Sequence, residues 1–170
     1  MSLLSKRHLA AALTAAAMLF GGAMVPPAMA LTEDEVGTVT RILGELEPEF
    51  GKIAYDETVA DEWFEQDQEN EGRIAKAGFT RESWKEALDA TFMGYLATIP
   101  ESQFEAEMTK IEARLETSST MNAEQKTAMR EIMNEQFAEI RALRESGRDY
   151  VDTVRPYADH LHAVFGDPVN

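Results

Sequence analysis

From Val36 to Phe165 the apolar residues recur three and four apart, and no stretch sustains the alternation with polar residues that a half-buried strand requires. Val36, Val39, Leu43 and Leu46 open the series. Ahead of them Thr32 and Glu35 have the spacing of a capping box, in which hydroxyl and carboxylate each satisfy an orphan amide at a helix start. Pro48 is expected to interrupt that helix, with Phe50, Ile53 and Ala54 in a short packed turn after it. A second helix is predicted from about Asp56, with Val59, Trp63 and Phe64 inward and Gly72 as its break; Ile74 and Ala77 carry the apolar contact on to Gly78.

Thr80 is the next cap. Trp84, Leu88, Thr91, Phe92, Tyr95, Leu96 and Ile99 form the most apolar stripe in the chain, which places this helix at the centre of the core. Pro100 fits the first turn of a following helix, striped by Phe104, Met108, Ile111 and Leu115. After the polar loop Thr117–Thr120, Asn122 and Gln125 make another capping box. A long helix then carries Met129, Ile132, Met133, Phe137, Ile140, Leu143, Tyr150, Val151 and Val154, softened at Gly147 and kinked or ended at Pro156. Tyr157, Leu161, Val164 and Phe165 give a last apolar turn. The pattern predicts a single all-α domain over residues 31–170, a bundle of about five helices.

Residues 1–30 read as a cleaved signal peptide. Lys6 and Arg7 precede an apolar run from Leu9 to Phe20, too short to span a membrane, and Ala28-Met29-Ala30 supplies the small residues of a cut. The mature chain is therefore expected in the periplasm or secreted, starting at Leu31 and not membrane-embedded. It has no cysteine, which excludes thiol catalysis, iron–sulfur clusters and thiolate zinc. Lys6 and Arg7 are the only charges of the leader, so the mature chain carries all 31 acids against 14 of the 16 bases, and its formal charge falls from −15 to −17. Such a surface repels nucleic acid and anionic lipid. Partners are then another protein, with a second copy of the chain also open.

Eight acids and no base lie between Asp56 and Glu71. As a calcium loop, Asp67, Glu69, Glu71, Gly72 and Ile74 fall on the first five required positions, but the closing bidentate carboxylate is replaced by Gly78. A docking face for a basic partner and a solvated helix face are the other readings, and the solvated face is preferred. His160 and His162 are two apart, pointing roughly 200° away from each other on a helix, so they cannot readily share an ion. Met93, Met108, Met121, Met129 and Met133 read as core filling, since none forms a Met-x-x-Met or Met-x-Met repeat near histidine. No nucleophile elbow, phosphate loop or Glu-x-x-His pair occurs. No catalytic, cofactor or metal residue is assigned, and the chain is expected not to be an enzyme.

Met121-Asn-Ala-Glu-Gln125 and the helix after it, over residues 121–140, resemble the Leu-Thr-x-x-Gln motif of the Spy/CpxP group of periplasmic helical proteins, with Met-Asn in place of Leu-Thr. Leu31-Thr-Glu-Asp-Glu35 resembles a second copy, with Glu35 where the glutamine stands. The resemblance implies an all-helical envelope protein, tied to stress and to holding unfolded clients. A positively charged cradle is expected of that group's chaperone, whereas this chain is acidic. The leading expectation is a non-enzymatic helical protein acting through protein–protein contact, either client-holding or modulating an envelope complex. The alternative is a bundle that binds a divalent metal or small ligand.

Overall fold

A computed structural model describes residues 31–51, 55–56 and 58–166, and every regular element among them is helical. Residues 1–30, the expected signal peptide, lie outside these, as do Ile53 and Ala54. The helices are α1 (Glu33–Phe50), α2 (Val59–Glu69), α3 (Arg73–Lys76), α4 (Arg81–Thr98), α5 (Glu101–Thr117), α6 (Ala123–Ser146), α7 (Val151–Val154) and α8 (Ala158–Phe165). Tight 3₁₀ turns at Arg148–Tyr150 and Arg155–Tyr157 link the last three. Of the described helices, six have eight or more residues, rather than about five, and two are single turns. The breaks at Gly72 and Pro156 fall where they are expected, and a further one comes at Gly147, where the long helix expected to run on to Val154 ends at Ser146.

The capping boxes form as the spacing predicts. Glu35 N–H donates to Thr32 Oγ1 at 3.2 Å while the Glu35 carboxylate accepts from Thr32 N–H at 2.9 Å. Asn122 and Gln125 exchange the same pair of bonds, both 2.9 Å. Thr80 is capped reciprocally by Ser83, a partner that its sequence did not suggest. Asn122→Ala is expected to lower stability by about 1 kcal/mol, the usual size of an N-cap loss, measured as a shifted urea midpoint at unchanged slope.

Two expected breaks move. α1 runs through Pro48 to Phe50. The proline costs one hydrogen bond near the helix end, where Leu46 is fully buried and the Phe50 ring meets Trp63 edge-on at 5.6 Å, so packing carries the final turn. Pro100 precedes α5 as its N-cap residue instead of sitting in its first turn.

The main core gathers α1, α2, α4, α7 and α8, with α4 at its centre in contact with each of the others. Val36, Val39, Ile42, Leu43 and Leu46 of α1 and Trp84, Leu88 and Leu96 of α4 are wholly buried. The Trp84 indole N–H also donates to the Ala60 carbonyl of α2 at 3.1 Å. Tyr55, before α2, stacks on Phe92 at 3.8 Å and donates its hydroxyl to Asp89 at 2.7 Å.

The C-terminal end of α4 meets the end of α6 backbone to backbone. A Cβ on Gly147 would lie 1.9 Å from the Met93 carbonyl oxygen, and one on Gly94 would lie 2.6 Å from Val154 Cγ2. Gly147 is thus no mere softening of a helix. It is where α6 ends against α4.

Candidate functional site

α5 and α6 form an antiparallel arm. By the helical rise they are roughly 25 and 36 Å long. A second, smaller cluster lies between them, in which Phe104, Met108, Leu115, Met133 and Phe137 are buried. Ile99 and Ile140 touch both clusters and join the arm to the body. The Arg144 guanidinium reinforces the joint: it donates to the Leu96 carbonyl at 2.7 Å, pairs with Glu101 at 3.2 Å and lies 5.1 Å above the Phe104 ring.

The two long sides of the arm differ. One is closed by ion pairs: Arg141 makes a fork of two bonds, 3.1 and 3.0 Å, to Glu105, and Arg130 pairs with Glu116. Taking 100° per residue from Phe137, Arg130 and Arg141 lie roughly 20–40° to this side. On the other side, roughly 80–140° round, fall Met129, Gln136, Gln125 and Ile132. Met129 is 37% and Ile132 50% exposed, the large apolar side chains that solvent reaches most among the described residues. Periodicity had placed both among the apolar marks of the long helix, with Met129 as core filling. The structure corrects this: the stripe packs on the main core from Ile140 onward, and in its N-terminal half Gln125, Met129, Ile132 and Gln136 are exposed.

The ion-paired side has a pH signature. The Arg141 fork, foremost, and the nearby positive charges hold the Glu105 carboxyl below its ordinary value against an opposing effect of burial, and Arg130 does the same for Glu116. A carboxyl more acidic when folded than when unfolded stabilises fully above the ordinary glutamate range. That contribution is lost as pH falls through the lowered value. Amide exchange in α5 and α6 should therefore accelerate relative to α4 on going from pH 6 to pH 3, after correction for intrinsic rates, and less so in Arg141→Gln.

The acidic segment takes a different form from a calcium loop. Trp63 and Phe64 are buried, as their spacing suggests. Asp67, the first position of the calcium-loop reading, is also buried, at 1% exposure, where an acid of a charged run is expected in solvent. Its Oδ2 accepts from Ile74 N–H at 2.8 Å and its carbonyl from Gly72 N–H at 2.7 Å, so it closes the turn between α2 and α3 around the left-handed Gly72. The positive charge in this region belongs to Arg73. Its guanidinium sits 2.6 Å from Glu49 and 3.2 Å from Glu71. The Glu49 hydrogen bond, first, and the charges of Glu49, Glu71 and Asp67 raise its affinity for its proton, opposed by burial. Arg81 likewise bridges Asp61 at 3.2 Å and Glu65 at 2.8 Å. Much of the stretch is a solvated face stitched by arginines from later in the chain.

His160 and His162 are both exposed and do not converge. His162 Nδ1 lies 2.9 Å from the Tyr95 hydroxyl, which also reaches the Gly166 carbonyl at 3.1 Å. Met108 and Met133 are buried in the arm, while Met93 and Met121 are half-buried. Among the described residues no three carboxylate or imidazole groups are placed to hold a metal ion. A groove of about 350 Å³ runs between Leu31, Glu35, Glu86, Asp89, Met93 and Tyr150. Two of its carboxylates are engaged, Glu35 in the α1 cap and Asp89 by Tyr55 and Lys85. No described helix is long and apolar enough to cross a membrane. Compared with family models, with curated proteins and with solved structures, the chain gives no match.

Proposed function

We propose that this is a non-enzymatic exported protein that works by contact with another protein, holding it or adjusting an envelope assembly, with the α5–α6 arm as its contact element. The observation that carries the reading is the half-covered stripe of α6, where Met129 and Ile132 stand in solvent on an arm whose opposite side is closed by ion pairs. Exposed apolar surface on an otherwise highly charged protein marks an interaction site more than a packing fault. Methionine, being unbranched and polarizable, adapts to partners of varied shape. The likeness of residues 121–140 to the Spy/CpxP group falls on this same helix and supports the same reading.

The test follows light scattering of a chemically denatured protein diluted into buffer, with and without the mature chain. At several-fold molar excess the wild type should suppress aggregation, and Met129→Ser/Ile132→Ser should lose most of that effect while keeping its circular dichroism. No suppression by the wild type removes the client-holding form of the proposal.

A further inference from the structure

We propose that the arm is an acid-opened clasp: neutralising Glu105 and Glu116 of α5 frees that helix from α6 and bares the apolar cluster between them as further contact surface. This rests on the reading of the arm as the contact element and concerns what regulates it.

The first support is the division of charge across the joint. Glu101 faces Arg144 at 3.2 Å, Glu105 takes the Arg141 fork at 3.0 and 3.1 Å, and Glu116 faces Arg130. In each pair the acid comes from α5 and the base from α6. Lys126 adds its charge at Glu116 and Arg144 at Glu105, while Glu101 and Glu112 join Glu105 in acting on Arg141. The last turn of α4, the neighbour at the root of the arm, carries no acid or base. No histidine lies in α5 or α6, so carboxylates alone titrate across this joint in the acid range. Acid therefore acts in one sense only, since each carboxyl neutralised removes an attraction between the two helices.

The second support is how little else holds α5. Among the described elements it packs chiefly on α6, with Phe104, Met108 and Leu115 against Met133 and Phe137. Those are the five buried residues of the arm cluster, against twenty in the body. The body carries ion pairs too, Arg73 with Glu49 and Arg81 with Asp61 and Glu65, but far more apolar burial accompanies them. α6 keeps its own anchor when α5 leaves: Arg144 still reaches the Leu96 carbonyl, and Ile140 and Leu143 still pack on the body. Set loose, the 17-residue α5 has little helical stability of its own.

The third support is what the opening uncovers. Met129, Met133 and Phe137 follow one another at spacings of four on α6, so baring the last two widens the exposed stripe into a single apolar face. The direction of the pH effect follows from the pairs. The hydrogen bonds from Arg141 to Glu105 and from Arg130 to Glu116, foremost, hold both carboxyls below their ordinary value. The clasp is thus fully charged above the usual glutamate range and is lost as pH falls through the lowered values.

The experiment uses the mature chain and two optical signals. Both tryptophans, Trp63 and Trp84, are buried in the body, so their emission follows the body alone. Nile red, an uncharged dye, follows exposed apolar surface. Between pH 7 and about pH 3.5 dye emission should rise about threefold or more while the tryptophan maximum stays in place. At pH 7 the variant Glu105→Gln/Glu116→Gln should show much of that rise, and its α5 amides should exchange about tenfold faster or more, relative to α4, than in the wild type. It should also suppress aggregation at no more than about half the molar excess that the wild type requires.

A tryptophan shift that accompanies the dye, in acid or in the variant, means that body and arm open together and overturns the inference. So does a flat dye signal down to pH 3, or α5 exchange in the variant no faster than in the wild type. If the arm opens and suppression by the variant does not improve, the regulatory inference falls while the contact reading keeps its own test at Met129 and Ile132. If the wild type and the variant both fail to suppress aggregation, the client-holding reading and the regulation built on it fall together.

Discussion

Replacing Gly147 with alanine should cost about 3–5 kcal/mol, at or beyond the upper end of overpacking penalties, because the added carbon has no rotamer to escape into. It would lie 1.9 Å from the Met93 carbonyl oxygen and 2.3 Å from its carbonyl carbon, and both are backbone. Relief requires the end of α6 to move off α4. That would disturb the Arg144 bond to the Leu96 carbonyl and loosen the arm from the body. A companion variant keeps the result interpretable. Gly44 is in the interior of α1 with nothing within 4 Å of its would-be Cβ, so Gly44→Ala should stabilise by about 0.5–1 kcal/mol through helix propensity. Thermal and urea unfolding of the two alanine variants should thus move in opposite directions. Equal shifts would mean that the close approach at Gly147 is not a feature of the folded protein.

The second large effect concerns Trp84, which is wholly buried where α2 and α4 meet. Trp84→Ala removes the largest fully buried side chain together with the indole bond to the Ala60 carbonyl, and the edge contact with Phe79 at 5.6 Å goes with it. A loss of about 3–5 kcal/mol is expected, the usual range for emptying a large aromatic site. Trp84→Phe keeps most of the volume and should lose clearly less. Because the arm has its own small cluster, the Trp84 variants should unfold the body without first melting α5 and α6. A chain whose arm amides exchange first in Trp84→Ala, at the same rate as in Gly147→Ala, would contradict the division into two clusters.

Much of this architecture is written locally. Thr32 with Glu35 and Asn122 with Gln125 announce helix starts because capping is a bargain among residues three apart, and Trp84, Leu88, Tyr95 and Leu96 announce a central helix because burial follows period. What is decided between distant residues does not show. Gly147 reads as a weak point in a helix, yet its lack of a side chain matters for the approach of Met93, more than fifty positions earlier. Asp67 reads as a candidate first ligand of a calcium loop or as one more solvated acid, and the turn to Ile74 buries it instead. Pro48 should stop α1 by its own chemistry, and the packing of Phe50 on Trp63 overrides it.

The open stripe illustrates the same limit at the candidate site. Met129 and Ile132 have the spacing of core residues, and that spacing is real, since α6 carries one continuous seam. Whether a seam position is covered depends on where α4 ends, which α6 itself does not encode. Such a stripe passes for core in a sequence, and it is left exposed where the neighbouring helix stops short.

The most direct test of the arm as the contact element is position-specific photocrosslinking. A benzophenone side chain is placed at Ile132 on the open side, or at Glu112 on the ion-paired side, and each mature variant is illuminated with the same denatured client. Adduct formation at 132 several-fold above that at 112 is the predicted result. Equal yields at the two positions, or more at 112, would contradict a contact surface running along Met129 and Ile132.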